Sequence, residues 1–174
     1  SAPCSVLIIF KGLLLSTRPK QWTKNLILYF ALFFSACEAW HFQDIAFTIS
    51  LLGKTTSAFI LFSALTGAVY LLNDTLDTKG DRQHPTKRLR PIASGQVPIT
   101  VAWATSAGLA VTSFSLSFLL FPAFALVVFG YLLTMVAYSV VLKRIVLIDV
   151  FAISADFVLR AVAGAAVLQV PISP

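Results

Sequence analysis

The chain has 174 residues, 58% hydrophobic and 11% charged, with a formal net charge of +6, and its mean hydropathy is +0.88. Soluble domains carry about 25% charged residues, so this composition excludes a disordered chain and argues against a soluble globule. The class is an all-α integral membrane protein, because the apolar runs are continuous and do not alternate in and out as barrel strands do.

In chain order, residues 6–15 are apolar but interrupted by Lys11. They lack a basic leader and a cleavage site, so they read as a helix lying in the membrane interface, part of an N-terminal segment 1–21. Residues 25–37 give 13 apolar positions, about 20 Å of α-helix. They are predicted to cross as a short first span, with Trp22 and Trp40 at the interfaces and Lys20 and Lys24 snorkelling. Between Lys54 and Asp74 lie 19 uncharged residues, enough for a second span. Residues 91–142 hold no charge at all, and Pro122 divides them into a third and a fourth span. Residues 146–169 form a fifth, which contains Asp149, Asp156 and Arg160. The expectation is therefore one transmembrane domain of five helices over 1–174.

The basic residues orient it. Lys11, Arg18, Lys20 and Lys24 precede the first span; Lys79, Arg82, Lys87, Arg88 and Arg90 lie in a loop at 73–98; Lys143 and Arg144 lie before the fifth span. These alternate loops are predicted to be cytoplasmic by the positive-inside rule, in the inner (plasma) membrane. Such placement beside membrane segments argues against nucleic-acid binding. Cys4 and Cys37 fall on opposite sides in this scheme, which excludes a disulfide between them, and no metal-ligand spacing of cysteines exists.

Chemistry begins at the end of the second span. In Asn73-Asp74-Thr75-Leu76-Asp77-Thr78-Lys79-Gly80-Asp81 the three aspartates occupy positions i, i+3 and i+7, one face of a helix continuing past the membrane surface. Three like charges there call for a cation, and hard carboxylate oxygens suit Mg²⁺ shared with substrate phosphates. Such a site could hold a diphosphate and assist its departure. Pro85, Pro91 and Pro98 make the following stretch an ordered loop. Its Lys87, Arg88 and Arg90 suit phosphate oxygens or anionic lipid headgroups. His84 has no evident carboxylate partner and reads as a structural hydrogen bonder. In the fifth span, Asp149, Asp156 and Arg160 share one helical stripe, with Asp156 about 10 Å deeper than Asp149. Asp156 and Arg160, four apart, can pair with each other, and charge at that depth should face the bundle interior. Asp149 lies level with the first aspartate cluster. Tyr138, Ser139, Lys143 and Arg144 close the fourth span beside it.

These residues resemble the UbiA prenyltransferase superfamily. The likeness rests on Asn73-Asp74-x-x-Asp77-x-x-x-Asp81, Arg90-Pro91-x-x-Ser94-Gly95, and Tyr138-Ser139 leading to Asp149. Within it, the closer likeness is to the decaprenyl-phosphate phosphoribosyltransferase branch. That is carried by 18–25 (Arg-Pro-Lys-Gln-Trp-Thr-Lys-Asn), 84–88 (His-Pro-Thr-Lys-Arg), 142–144, and Phe157-x-x-Arg160-Ala161-x-Ala163-Gly164. The chain resembles the N-terminal part of such a helical bundle and leaves it incomplete. The resemblance implies transfer of 5-phosphoribose from phosphoribosyl pyrophosphate to a polyprenyl phosphate, releasing pyrophosphate for cell-wall arabinan precursors. It implies that Asp74, Asp77, Asp81 and Asp149 hold Mg²⁺ and the diphosphate, and that Lys20, Lys24, Asn73, Lys87, Arg88 and Arg90 serve the substrate phosphates. Tyr138, Lys143, Asp156 and Arg160 have second-site or structural roles. A homo-oligomer stays open. So do two rival readings: prenyl transfer to an aromatic acceptor through the same aspartates, and a non-catalytic membrane scaffold.

Overall fold

The computed structural model describes residues 2–36, 44–141, 143 and 146–169; the side chains of 2–4 and 146–149 are outside that description. The described residues form α1 (Ala2–Ser16), a 3₁₀ turn (Pro19–Ile27), α2 (Leu28–Phe34), α3 (Ile45–Leu76), α4 (Thr78–Gln83), a short 3₁₀ turn (Lys87–Leu89), α5 (Ile99–Leu120), α6 (Pro122–Val140) and α7 (Val146–Leu168). The protein is an all-α membrane protein. Four helices are long and apolar enough to cross a membrane: Ile45–Leu76, Ile99–Leu120, Pro122–Val140 and Val150–Leu168.

α3 is the central rod, packed against α2, α5, α6 and α7. Asp44 caps its start, with a carboxylate oxygen accepting from the Phe47 N–H at 3.0 Å. At 1.5 Å per residue its 32 residues reach about 48 Å, well beyond a hydrocarbon slab of about 30 Å. The separation of Lys54 from Asp74 matches that slab, as the sequence predicts. α5 and α6 meet at Phe121–Pro122, where Pro122 begins α6 at a position that has no use for an N–H. Several hydroxyls inside the spans are satisfied by their own helices: Thr55 donates to the Leu51 carbonyl at 2.9 Å, Thr112 to Gly108 at 2.7 Å and Thr134 to Gly130 at 2.8 Å.

The core lies where α2, α3, α6 and α7 converge, around Leu28, Phe62, Leu65, Phe124, Val128, Tyr131 and Ala163. The Phe62 and Tyr131 rings sit 4.7 Å apart. Outward positions on α5 stay apolar, with Val111 and Leu119 exposed, as a lipid-facing surface requires. A second cluster of Leu71, Ile92, Val97 and Ala102, with Leu13 packed on it, pins the proline-rich loop and α1 onto α3 and α5.

The first span departs from a plain α-helix. Residues 25–37 are not among the four candidates; Leu28–Phe34 is α-helical, Pro19–Ile27 is 3₁₀, and Cys37 and Trp40 lie outside the described residues. The cause is local. Arg18 ends α1 in the left-handed region (φ 53°, ψ 64°) and Pro19 restarts the chain. The Asn25 amide is then drawn to α3, donating to Ser63 Oγ at 3.0 Å.

Candidate functional site

The site is built at the end of α3 and the loop behind it. α3 stops at Leu76 and Asp77 takes φ −87°, ψ 0° before α4 begins. The expected single helical face for three aspartates is therefore interrupted at Asp77, and the carboxylates divide. Asp74 and Asp81 are buried side by side, whereas Asp77 is half-buried. One guanidinium nitrogen, Arg90 Nη1, donates to Asp74 Oδ1 at 3.1 Å and to Asp81 Oδ2 at 2.7 Å. Arg18 Nη2 donates to the same Asp74 oxygen at 2.6 Å, and the guanidinium carbon Cζ lies 4.7 Å from the Tyr70 ring centroid. Lys143 Nζ, from the α6–α7 connection, pairs with Asp77 Oδ1 and donates to Asn73 Oδ1 at 3.3 Å. Three carboxylates thus meet three protein cations.

The sequence folds this way because the loop is fastened at each end of its basic run. Ile92 and Val97 are buried, Val97 N–H reaches back to the Pro91 carbonyl at 3.0 Å, and Gly95 supplies φ 82°. Arg82 Nε donates to the Ala93 carbonyl at 3.1 Å. His84 is the structural bonder predicted: its Nδ1 accepts from the N–H groups of Thr86 at 3.2 Å and Lys87 at 3.3 Å. With these anchors, Arg90 points inward while Lys87 and Arg88 remain exposed, as do Lys20 and Lys24 on the first 3₁₀ turn.

Two hollows flank the cluster. One of about 430 Å³ is lined by Leu76, Asp77, Gly80, Asp81, His84 and Lys87. The other, about 280 Å³, lies between α3, α6 and α7; Arg18 and Asn73 line it together with Tyr70, Tyr131, Tyr138 and Asp156. Arg160 is buried beneath this hollow and pairs with Asp156. It also donates through Nε to Asn25 Oδ1 at 2.8 Å and through Nη2 to the Tyr131 hydroxyl at 3.4 Å. The Asp149 side chain and Arg144 lie outside the described residues.

The donor chemistry suits a hard divalent cation: oxygens of Asn73 and Asp77 already converge on a single ammonium. Among the described residues, no three His, Cys, Asp or Glu side chains are gathered as a ready metal cage, because Arg90 draws Asp74 and Asp81 one way and Lys143 draws Asp77 another. The sequence motif 18–25 contains Arg18 and Asn25, but no spacing rule gave them, Tyr70 or Tyr131 a place in the site. Arg18 meets Asp74 across 56 positions and Arg160 meets Asn25 across 135, separations that no local spacing rule reaches. One signal was present: an arginine immediately before Pro19 at the end of an apolar helix, where the backbone must turn.

Comparisons with known proteins give the chain's relatives. Over 162 residues the chain is 38% identical to "Decaprenyl-phosphate phosphoribosyltransferase" of Mycobacterium tuberculosis, covering 93% of this chain and 52% of that protein. The like-named protein of Corynebacterium glutamicum is 34% identical, over 93% of this chain and 48% of its own length. "Nodulation protein NoeC" of Azorhizobium caulinodans is 28% identical, over 89% of this chain and 48% of its own length. The chain spans about half the length of the curated relatives it matches. The model of the UbiA prenyltransferase family matches residues 27–174, which takes in α3, the aspartate cluster and the hollow beneath it, and the chain belongs to that family.

Proposed function

We propose that the protein, a multi-pass membrane protein, transfers 5-phosphoribose from phosphoribosyl pyrophosphate to a polyprenyl phosphate such as decaprenyl phosphate, releasing pyrophosphate. The product would feed arabinan precursors for the cell wall. The observation that carries the reading is the closed charge cluster Arg18–Asp74–Arg90–Asp81 with Asn73–Lys143–Asp77 at the C-terminal end of α3. The names of the 34–38% identical relatives support a decaprenyl-phosphate acceptor and a phosphoribosyl group as what is moved; the pyrophosphate donor is our reading of the aspartate cluster.

In this reading Asp74, Asp77, Asp81 and Asp149 would hold Mg²⁺, and Asn73 would serve the substrate phosphates beside them. When bound, the ion neutralises charge on the departing pyrophosphate. Arg90 fixes Asp74 and Asp81 relative to each other, and Arg18 and Lys143 fix the α1 end and the α6–α7 connection to the same cluster. Lys20, Lys24, Lys87 and Arg88, all exposed, would attract the phosphates of donor and acceptor. The bond from ribose C1 to the pyrophosphate oxygen breaks as a bond from C1 to an acceptor phosphate oxygen forms, and the electron pair leaves with pyrophosphate. The acceptor is already ionised, so no general base is required, in keeping with His84 being occupied by backbone N–H groups. We place the N-terminus and the loops at 73–98 and 143–148 on the cytoplasmic side of the plasma membrane, where a soluble sugar diphosphate is available.

Labelled phosphoribosyl pyrophosphate and polyprenyl phosphate, given to the detergent-purified protein, test this. A labelled lipid that requires Mg²⁺ and disappears in Asp74→Ala is expected. Product only from a prenyl diphosphate and an aromatic acceptor would establish the rival transferase. Unchanged pyrophosphate binding on neutralising Asp74 and Asp77 together would leave a scaffold.

A further inference from the structure

The hollow beneath the aspartates has a floor whose chemistry is specific. Arg160 is 2% exposed, and a buried guanidinium is costly unless each nitrogen is matched. Here it is matched on three sides: Nε by Asn25, Nη1 by Asp156 Oδ2 and Nη2 by the Tyr131 hydroxyl. Asn25 is itself held, donating to Ser63 Oγ at 3.0 Å and Thr66 Oγ1 at 3.4 Å. The guanidinium stacks near the Tyr131 and Phe157 rings, 5.7 Å and 5.8 Å from their centroids. Asp156 is thereby tied to a guanidinium that is itself held on three sides.

A pair serving only to neutralise Arg160 would be buried in packed apolar side chains. Instead, the Asp156 side chain remains part of the wall of the hollow, opposite Thr66, Tyr70 and Tyr138, and the same hollow reaches Arg18 and Asn73 beside the aspartates. Its volume of about 280 Å³ thus runs from a phosphate-binding end to a fixed carboxylate among hydroxyls. The carboxylate is engaged by Arg160 and by the Tyr131 hydroxyl, yet its two oxygens offer about four acceptor positions, and those left over suit the hydroxyls of a sugar. It repels a hydrocarbon chain, which would strip its water and return no hydrogen bond.

We propose that Asp156, held in place by Arg160, is a specificity-determining residue that accepts hydrogen bonds from the sugar hydroxyls of a glycosyl diphosphate donor and disfavours an isoprenyl diphosphate in the same hollow. This rests on the phosphoribosyl-transfer reading above and assigns the part of the site that selects the donor.

The test is equilibrium binding, with Mg²⁺ present, of inorganic pyrophosphate, phosphoribosyl pyrophosphate, its 2-deoxyribosyl analogue and geranyl diphosphate to the detergent-purified protein. Wild type should prefer phosphoribosyl pyrophosphate to the deoxy analogue and to geranyl diphosphate. Asp156→Asn should weaken phosphoribosyl pyrophosphate by about 10- to 100-fold, the worth of a hydrogen bond to a charged group. It should shrink the deoxy penalty and leave pyrophosphate within about twofold. Pyrophosphate is also the folding control. If Asp156→Asn loses it, the decision falls to the wild-type ligands alone, and equal affinity for the ribosyl and deoxyribosyl compounds overturns the proposal. Retained pyrophosphate binding with undiminished phosphoribosyl pyrophosphate binding in Asp156→Asn also overturns it. Failure of wild type to bind pyrophosphate at all would instead overturn the diphosphate reading of the aspartate cluster.

Discussion

Arg90 concentrates more of the site in one side chain than any other residue described, since a single nitrogen serves two buried carboxylates. Arg90→Ala leaves Asp74 with Arg18 but strips Asp81 of its ion-pair partner among the described residues. Leaving a buried charge unpaired costs about 1–3 kcal/mol or more, moderated by the partial exposure of Arg90. The thermal midpoint in detergent should therefore fall, and Arg90→Lys should recover only part of it, a lysine point charge being a poorer match for two acceptors. His84 separates structure from charge differently. Asn at this position can still accept the Thr86 and Lys87 N–H groups through Oδ1, as asparagine does in turns, while His84→Leu cannot. Limited proteolysis of the 84–90 loop should leave His84→Asn near wild type and cut His84→Leu faster. The sequence disclosed the acidic members of this cluster through their spacing. It was silent on which cation each would meet, because that depends on how α1, the loop and the α6–α7 connection return to one end of α3.

Among the elements, α2 and α7 approach most closely at Gly164, where any side-chain carbon would collide with the Leu28 backbone carbonyl. That contact explains why Ala163, fully buried, and Gly164 follow Arg160: small residues let the backbones come together and bring Arg160 within reach of Asn25. Gly164→Ala should lower the thermal midpoint by an amount corresponding to about 1–3 kcal/mol of overpacking. Gly108→Ala on α5, with nothing within 4 Å of the added carbon, should be neutral or raise it by up to about 1 kcal/mol. Helix existence was legible here from charge-free stretches and Pro122, since a membrane span is a matter of length and polarity. The 3₁₀ geometry of Pro19–Ile27 was not, because it follows from Asn25 reaching α3 rather than from any pattern within the segment.

For the molecule as a whole, the distribution of lysine and arginine predicts which face carries the site. With Cys4 and Cys37 replaced, a single cysteine at exposed Arg88 should react with a membrane-impermeant maleimide in inverted vesicles and stay unlabelled in intact cells; the reverse pattern would place the aspartates on the outer face. That face is also where the N-terminal arm joins the bundle, at a residue whose backbone glycine would adopt more readily. Arg18 bears a left-handed conformation costing about 1–2 kcal/mol, and it returns a 2.6 Å ion pair to Asp74. Exchanging it for glycine would relax the turn and unlatch the arm at one stroke. Two opposing contributions would then nearly cancel in a melting curve while the affinity for pyrophosphate fell, so heat alone would miss what the exchange had cost the site.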